Sequence, residues 1–318
     1  MQRDPILVLV NPSSGGGMAK ELGPHLVREL EERGLPVIAR KSERAGEITE
    51  EARRRMHEVR AIVAVGGDGT MREVLAAKPP ESVTVTMLPA GTANVLSAEL
   101  ALPKRPAETA KMLAAGHSRS FDIGLVSSSE NPEGSPFLLF VGAGSDARVI
   151  ADVHQRRAGG TLGKMRYIGP IAREIFRYRP TQHHVVLDDG QRIGPFEQVL
   201  ITNVAAYGGL WRLPGGVRMD DGLFDVFGFR IRNGLALLSR GIRGSLNQLE
   251  PGDDVVHLQS TRARIESDAE GPTQIDGDPG PSCPVDVCVQ DQQVRLALPP
   301  DSPFLQEGPT ARSDLRPN

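Results

Sequence analysis

Cysteine and tryptophan are almost absent from this 318-residue chain, which holds two cysteines, one tryptophan and 4% aromatic residues in all. Cys283 and Cys288 stand alone in a proline-rich, strand-like region; no second pair completes a zinc-ligand set, and both read as reduced, unreactive thiols. The start, MQRDPILVLVNP, runs straight into a first strand and reads as lacking a secretory leader, so a reducing, cytoplasmic setting is expected. No apolar run approaches the ~20 residues that span a bilayer. The longest surrounds PFLLFVGAG, and no transmembrane segment is expected. Neither sign of charge prevails, and a formal net charge of −3 argues against a broad nucleic-acid footprint. One local exception is Arg156–Arg179, where seven basic residues accompany a single acid, Glu174; it reads either as a solvated surface or as a face for anionic lipid.

What the chain has in quantity is glycine, 35 residues, set among short β-rich runs. ILVLV (6–10) ends at Asn11-Pro12, where proline stops a strand. A helical stretch follows with Leu22, Leu26, Val27 and Leu30 on one face, ending at Gly34. PVIARK (36–41), AIVAV (61–65) and VTVTML (83–88) read as further strands, and 46–58 and 107–116 as helices. This alternation predicts a parallel α/β sheet. Beyond a boundary near 122–126 the segments from FDIGLVSS to VDVCVQDQQVRLAL are β-like, and only 160–178 and 234–249 look helical. That pattern predicts a mainly antiparallel β domain, a sandwich or a bent sheet. The expected domains are residues 1–124, with a returning segment near 300–310, and 125–299, followed by a polar tail at 311–318 that reads as disordered.

Three glycine-rich turns follow strands of the first domain: Asn11-Pro12-Ser13-Ser14-Gly15-Gly16-Gly17, Gly66-Gly67-Asp68-Gly69-Thr70 and Pro89-Ala90-Gly91-Thr92-Ala93-Asn94. In a parallel sheet all three fall at the carboxyl ends of strands, the edge where open α/β folds bind ligands. Glycine lets backbone N–H groups approach an anion, and Thr70, Thr92 and Ser14 carry hydroxyls able to donate to phosphate oxygens. Any one such turn also serves plain chain reversal, whereas three on one edge point to a phosphate ligand. Neither G-x-x-x-x-G-K-[ST] nor a G-x-G-x-x-G opening a helix is present. The middle turn has no lysine, and Asp68 puts a carboxylate where the anion would sit.

VNPSSGGG, GGDGT and LPAGTAN, in this order, resemble the diacylglycerol-kinase catalytic domain. That superfamily includes diacylglycerol, sphingosine and ceramide kinases and bacterial lipid kinases, and is related more distantly to NAD kinases and phosphofructokinases. The likeness continues through GAGSDARV (142–149), GKMRYIG (163–169), NVAAYGGLWRLPGGVRMDDGLFDV (203–226) and IDGDPG (275–280), from Val10 to about Pro300. The resemblance implies a NAD kinase/diacylglycerol kinase-like fold, a nucleotide-binding α/β domain followed by a β-rich lipid-substrate domain, with ATP as phosphate donor and Mg²⁺. It implies that the Gly66–Thr70 turn wraps the nucleotide phosphates with backbone amides, so that no lysine is required. Asp68 would then work through Mg²⁺, a hard ion that prefers oxygen. Nucleotide contacts are implied at Asn11, Pro12, Ser13, Ser14, Gly15, Ser42 with Gly46, Gly66, Gly67, Asp68, Gly69, Thr70, Glu73, Gly91, Thr92 and Asn94.

The same resemblance makes Asp278, two residues after Asp276, the base that takes the proton of the attacking hydroxyl; DGDPG is also an ordinary turn composition. A structural Mg²⁺ is implied on the 218–223 turn, held by the Arg218 and Leu223 carbonyls and the Asp221 carboxylate, with a metal-free Asp-Gly turn as the alternative. Asp122 is available to a catalytic Mg²⁺ network with Asp68. Three departures stand out: Asp278 where the family usually has Glu, Arg72 where Asn is common, and Val95 where bacterial diacylglycerol kinases often carry Asp. Sphingosine kinases lack that last acid too.

The expected function is ATP- and Mg²⁺-dependent phosphorylation of a hydroxyl on diacylglycerol, a sphingoid base or a related lipid, presented at a membrane surface. Peripheral contact with the inner membrane face and a homodimer are left open. NAD kinase is one alternative, opposed by NPSSGG, by the 203–226 block and by the missing Asn-Glu pair after the glycine turn. A nucleotide- or lipid-binding regulator without turnover is the other, supported by Val95, Arg72 and Asp278. His183-His184 read as opening an exposed strand with no third metal ligand, and Trp211 as a packing residue. No G-x-S-x-G elbow is present.

Overall fold

The computed structural model describes residues 4–155, 167–207, 211–245, 248, 252, 254–269 and 271–306. The basic residues within 156–166, Gly208 and Gly209, the Trp211 side chain and the 311–318 tail lie outside the described residues. The chain divides into two compact units, residues 1–121 with 292–310 and residues 122–291 with 311–318.

The first unit runs β1 (Ile6–Val10), α1 (Met18–Glu32), β2 (Val37–Lys41), α2 (Glu47–Arg55), β3 (Ala61–Gly66), α3 (Asp68–Ala76), β4 (Thr84–Pro89), α4 (Val95–Glu99), α5 (Pro106–Ala115) and β5 (Ser118–Phe121). Its sheet has the order β2-β1-β3-β4, then a returning strand, Val294–Ala297, then β5. β1 and β3 carry no polar side chain and are buried along their whole length, which suits the centre of a sheet covered on both faces. Each fully buried branched side chain there, such as Ile62, contributes roughly 2 kcal/mol. β2 ends in exposed Arg40 and Lys41, charges that keep an edge strand from pairing with another chain. α1 buries Ala19, Gly23, Leu26 and Leu30, a helical 3–4 spacing, with the expected Leu22 and Val27 on the flanks. Gly23 has to be small, because a Cβ there would lie 2.7 Å from a methyl of Val10.

The returning strand departs from the expected division. It pairs parallel with β4 and antiparallel with β5, although its run VRLAL reads from the sequence as the last strand of the β domain. Periodicity identifies a strand but not its partner, and these partners lie far back in the chain. β5 is also the one antiparallel member of an otherwise parallel sheet. A short helix, Pro303–Gln306, follows, and Phe304 packs edge-on against Phe121 with ring centroids 5.5 Å apart.

The second unit runs β6 (Gly124–Ser127), β7 (Ser135–Phe137), β8 (Phe140–Ala143), α6 (Ser145–Gln155), α7 (Ile168–Phe176), β9 (His183–Leu187), β10 (Arg192–Phe196), β11 (Gln198–Thr202), β12 (Ala206–Tyr207), β13 (Trp211–Arg212), β14 (Phe224–Phe229), α8 (Gly234–Ser245), β15 (Val255–Ser260), β16 (Arg262–Ser267), β17 (Pro272–Ile275), β18 (Asp278–Ser282) and β19 (Val285–Val289). Two six-stranded sheets, β10-β9-β16-β19-β6-β7 and β15-β14-β11-β8-β17-β18, are antiparallel throughout. Inward residues of both, among them Phe137, Phe196, Ile201, Phe224, Ile265 and Val285, form one core. Gly124 and Gly228 make room for the Phe137 and Phe196 rings, which a Cβ would meet at 2.0 and 2.6 Å.

Two local features differ from the sequence expectation. Residues 145–155 form a helix, where only 160–178 and 234–249 were expected to be helical in this half. The signal was a Ser145-Asp146 start followed by apolar positions at 147, 150 and 153, overshadowed by the β-like run before it. His183 is fully buried rather than on an exposed strand, and that burial pushes its imidazole down to about 4. Burial likewise lifts the Cys283 thiol to about 11, in keeping with an inert thiol. Among the described residues no helix is long and apolar enough to cross a membrane.

Candidate active-site loops and acidic turns

Parallel pairing of β1, β3 and β4 brings their carboxyl ends, and so the three glycine turns, side by side. The turns also interlock. A Cβ on Gly15 would fall 1.8 Å from the Ala90 carbonyl oxygen, and one on Gly91 would fall 2.6 Å from the Gly67 Cα. The backbones approach more closely than any side chain permits. Asn11 donates from Nδ2 to the Thr70 hydroxyl at 3.2 Å and accepts from the Ser13 hydroxyl at 2.7 Å, tying the first turn to the second. Asn94, at φ 49°, closes its own turn by accepting from the Gly91 N–H at 3.0 Å and donating to the Gly91 carbonyl at 2.8 Å.

Asp68 gives a physical answer to the carboxylate in the phosphate-type turn. Its two oxygens accept from the backbone N–H groups of Val95 at 2.9 Å and Leu96 at 3.2 Å, the first turn of α4. A helix start favours negative charge and leaves amides without intrahelical partners, and Asp68 satisfies both demands from a different loop. Val95, where an acid is common in the resembling kinases, thus contributes its amide to Asp68.

The remaining implied nucleotide residues occupy varied positions. Gly66, Gly69 and Thr70 share the middle turn, with Thr70 buried against Gly66, where a Cβ would meet its hydroxyl at 2.2 Å. Pro12, Ser14 and Thr92 lie on the same edge. Ser42 sits beside the end of β1, its N–H donating to the Val10 carbonyl at 2.9 Å, and Gly46 holds φ 80° at the start of α2. Glu73 lies on α3, and its carbonyl accepts from the Thr49 hydroxyl of α2 at 2.8 Å. A Gly15→Ala change should cost roughly 2–4 kcal/mol in chemical denaturation, because Gly15 combines φ 63° with the Ala90 clash. Gly17→Ala, at φ 103° with open space around it, should lose only about 1 kcal/mol. Equal losses would mean that the interlock carries no weight.

In the second unit, Arg218, Asp221 and Leu223 share the turn before β14. The Asp221 carboxylate accepts from the Leu223 N–H at 3.0 Å, and Arg218 pairs with Asp220 at 3.2 Å. Burial pushes the Asp221 carboxyl up to about 6; the Leu223 hydrogen bond opposes this, while Asp225, Asp122 and Asp220 add to it. Asp122 is fully buried and accepts from the Gly222 N–H at 2.7 Å. Asp225 holds His257 Nε2 at 2.6 Å through Oδ1, while its Oδ2 is buried without a hydrogen-bond partner among the described residues. Among the described residues no three His, Cys, Asp or Glu side chains converge as a metal-ligating group. The implied set is different in kind, one carboxylate with two backbone carbonyls. Its all-oxygen chemistry and the surplus negative charge of the turn fit a hard divalent cation.

Asp278 opens β18 directly after a two-residue hairpin turn. Asp276 and Gly277 hold φ 50° and 84°, the left-handed pair that a tight hairpin needs and that Asp-Gly supplies. Asp276 turns inward and accepts the N–H groups of Leu138, Leu139 and Phe140 at 3.0, 3.0 and 2.9 Å. The Gln274 amide oxygen accepts from the Gly277 N–H at 2.9 Å. Gln274 also donates to Asp146, whose Oδ2 accepts the Tyr207 hydroxyl at 2.9 Å as well. Burial raises the Asp146 carboxyl above its usual range. Nothing in the sequence alone links Asp146, Tyr207 and Gln274 as a group. Asp146 and Tyr207 lay in quoted motifs, but only the fold brings them to Gln274.

A parallel α/β unit with interlocked glycine loops, followed by an antiparallel two-sheet unit, defines a class of phosphate-handling protein. Residues 5–126 match the diacylglycerol kinase catalytic domain, and residues 140–298 the YegS C-terminal NAD kinase beta sandwich-like domain. The chain belongs to the diacylglycerol kinase catalytic-domain family of lipid kinases, as its motifs suggested. It is similar to the diacylglycerol kinases of Staphylococcus carnosus (strain TM300), 24% identical over 92% of this chain and 95% of that one, and Bacillus subtilis (strain 168), with the same identity and coverage. The crystal structure of a diacylglycerol kinase from Bacillus anthracis str. Sterne shares the fold with a TM-score of 0.71 at 20% identity, covering 94% of this chain and 98% of that one.

Proposed function

We propose that this lipid kinase uses ATP and Mg²⁺ to phosphorylate a hydroxyl of diacylglycerol, a sphingoid base or a related lipid. The interlocked glycine turns carry this reading. They bring three glycine-rich backbones together on one sheet edge without a lysine, an arrangement suited to phosphate groups. Asn11, Pro12, Ser13, Ser14, Gly15, Ser42, Gly66, Gly67, Gly69, Thr70, Glu73, Gly91, Thr92 and Asn94 hold the nucleotide. Asp68 keeps the second and third turns in register through α4 and would face the catalytic Mg²⁺. When bound, that ion neutralises phosphate charge during transfer. Asp278 takes the proton of the attacking hydroxyl, and the 218–223 turn holds a structural Mg²⁺ through the Arg218 and Leu223 carbonyls and Asp221.

The test is product mass spectrometry after incubation with ATP, Mg²⁺ and mixed micelles of diacylglycerol, monoacylglycerol, sphingosine and ceramide, with NAD present. A phosphorylated lipid is expected, with a yield at least ~100-fold lower for Asp68→Ala, which loses both the metal-facing carboxylate and the α4 contacts. Phosphorylated NAD in place of lipid would overturn the substrate class. Nucleotide binding with no product would favour a regulator without turnover.

A further inference from the structure

Large exposed apolar side chains are concentrated in one place. Of the seven in the described chain, six lie on α7 and α8: Ile168 (62% exposed), Ile171 (46%), Phe176 (88%), Leu235 (76%), Leu238 (42%) and Ile242 (54%). The two helices touch, and Gly234 packs so closely on α7 that a Cβ would meet the Ile175 carbonyl oxygen at 2.0 Å. Tyr178 fixes the same junction by donating to the Ile231 carbonyl at 2.7 Å. Apolar residues recur at the spacing of one stripe on each helix: 168, 171 and the half-buried 175 on α7, with exposed Phe176 beside them, and 235, 238 and 242 on α8. Neither stripe is used in the core of the unit.

The charge left unpaired beside these stripes, among the described residues, has one sign, because Asp152 is taken by Arg173 and Asp254 by Arg240, each at 2.7 Å. Arg177, Arg179, Arg232 and Arg243 are exposed and form no ion pair among the described residues. The single acid on either helix, Glu174, is taken by Arg148 at 2.7 Å. Amphipathic helices with apolar residues on one face and arginines beside it lie in the interface of a bilayer, the apolar side chains in the acyl boundary and the guanidinium groups among anionic headgroups. A face for a second protein would instead be expected to leave unpaired charge of both signs around its rim.

We propose that α7 and α8 form the surface by which this protein docks on an anionic lipid bilayer. The proposal rests on the lipid-kinase reading only in its purpose, which is to place the protein where its substrate is embedded. The apolar stripes supply the depth of insertion, and the four arginines supply the preference for negative headgroups.

The test is sedimentation of the full chain, without nucleotide, with vesicles of phosphatidylcholine alone or mixed equally with phosphatidylglycerol. Binding is expected to the anionic vesicles and to weaken with salt. Phe176→Asp combined with Leu235→Asp should lower vesicle partitioning about tenfold or more. Arg179→Gln combined with Arg232→Gln should lower partitioning to the anionic vesicles alone. Activity on a short-chain diacylglycerol dispersed as monomers should remain at the parental level in both variants. Undiminished vesicle binding in both would overturn the proposal. So would a parental dimer that the Asp variant converts to monomer, with no vesicle binding by either. Phosphorylation of dispersed lipid by a chain that ignores vesicles would remove the docking surface and keep the kinase. Patch-dependent vesicle binding by a chain that phosphorylates no lipid would do the reverse.

Discussion

Asp278→Asn should reduce phosphoryl transfer by about 10²–10⁴-fold, the usual contribution of a positioned general base, while ATP binding and thermal stability stay near the parental values. The substitution is isosteric and falls at the partly exposed first residue of β18. The hairpin turn before it is specified by Asp276 and Gly277, so the backbone has no reason to move. The loss should therefore appear in kcat, with little change in the KM for ATP. Asp278→Glu, which restores the residue usual in the resembling kinases, should retain most activity. A parental kcat in Asp278→Asn would remove Asp278 from the chemistry and leave the hairpin as a simple turn.

The parts of this molecule legible in the sequence are those whose cause is local. The run AIVAV has no polar residue and becomes a central strand. Three glycine turns after three apolar runs mark one sheet edge because parallel pairing places every carboxyl end together. Contacts made across the chain left no local trace. Asp68 finds its partners on α4, 27 and 28 residues away, and the pattern GGDGT alone gives no hint that its acid meets a helix start. The returning strand was readable as β, yet its place between β4 and β5 depends on an unoccupied slot in a sheet assembled by the other end of the chain. α6 was hidden for a related reason: its buried positions, Ser145, Ala147 and Val153, are too small and too few to announce a helix.

Asp276 supplies the sharpest contrast with its neighbour two residues on. Asp276 is 8% exposed, and its carboxylate accepts three backbone N–H groups, from Leu138, Leu139 and Phe140, across the entry to β8. Its own N–H donates to the Phe140 carbonyl at 2.9 Å, so the turn and the strand start are locked reciprocally. Truncation to alanine strands three buried donors, each costing about 1–3 kcal/mol, for a sum of roughly 3–9 kcal/mol. That is comparable to the whole stability of many domains. Alanine also fits poorly at φ 50°, which adds to the loss. Asparagine is barely better, because its amide N–H₂ would face at least one of those donors. Chemical denaturation and soluble yield should thus fall sharply for Asp276→Ala and Asp276→Asn while remaining unchanged for Asp278→Asn. Stable Asp276 variants would mean that the β8 amides find other partners, and the division between a structural acid and a chemical one in this short turn would fail.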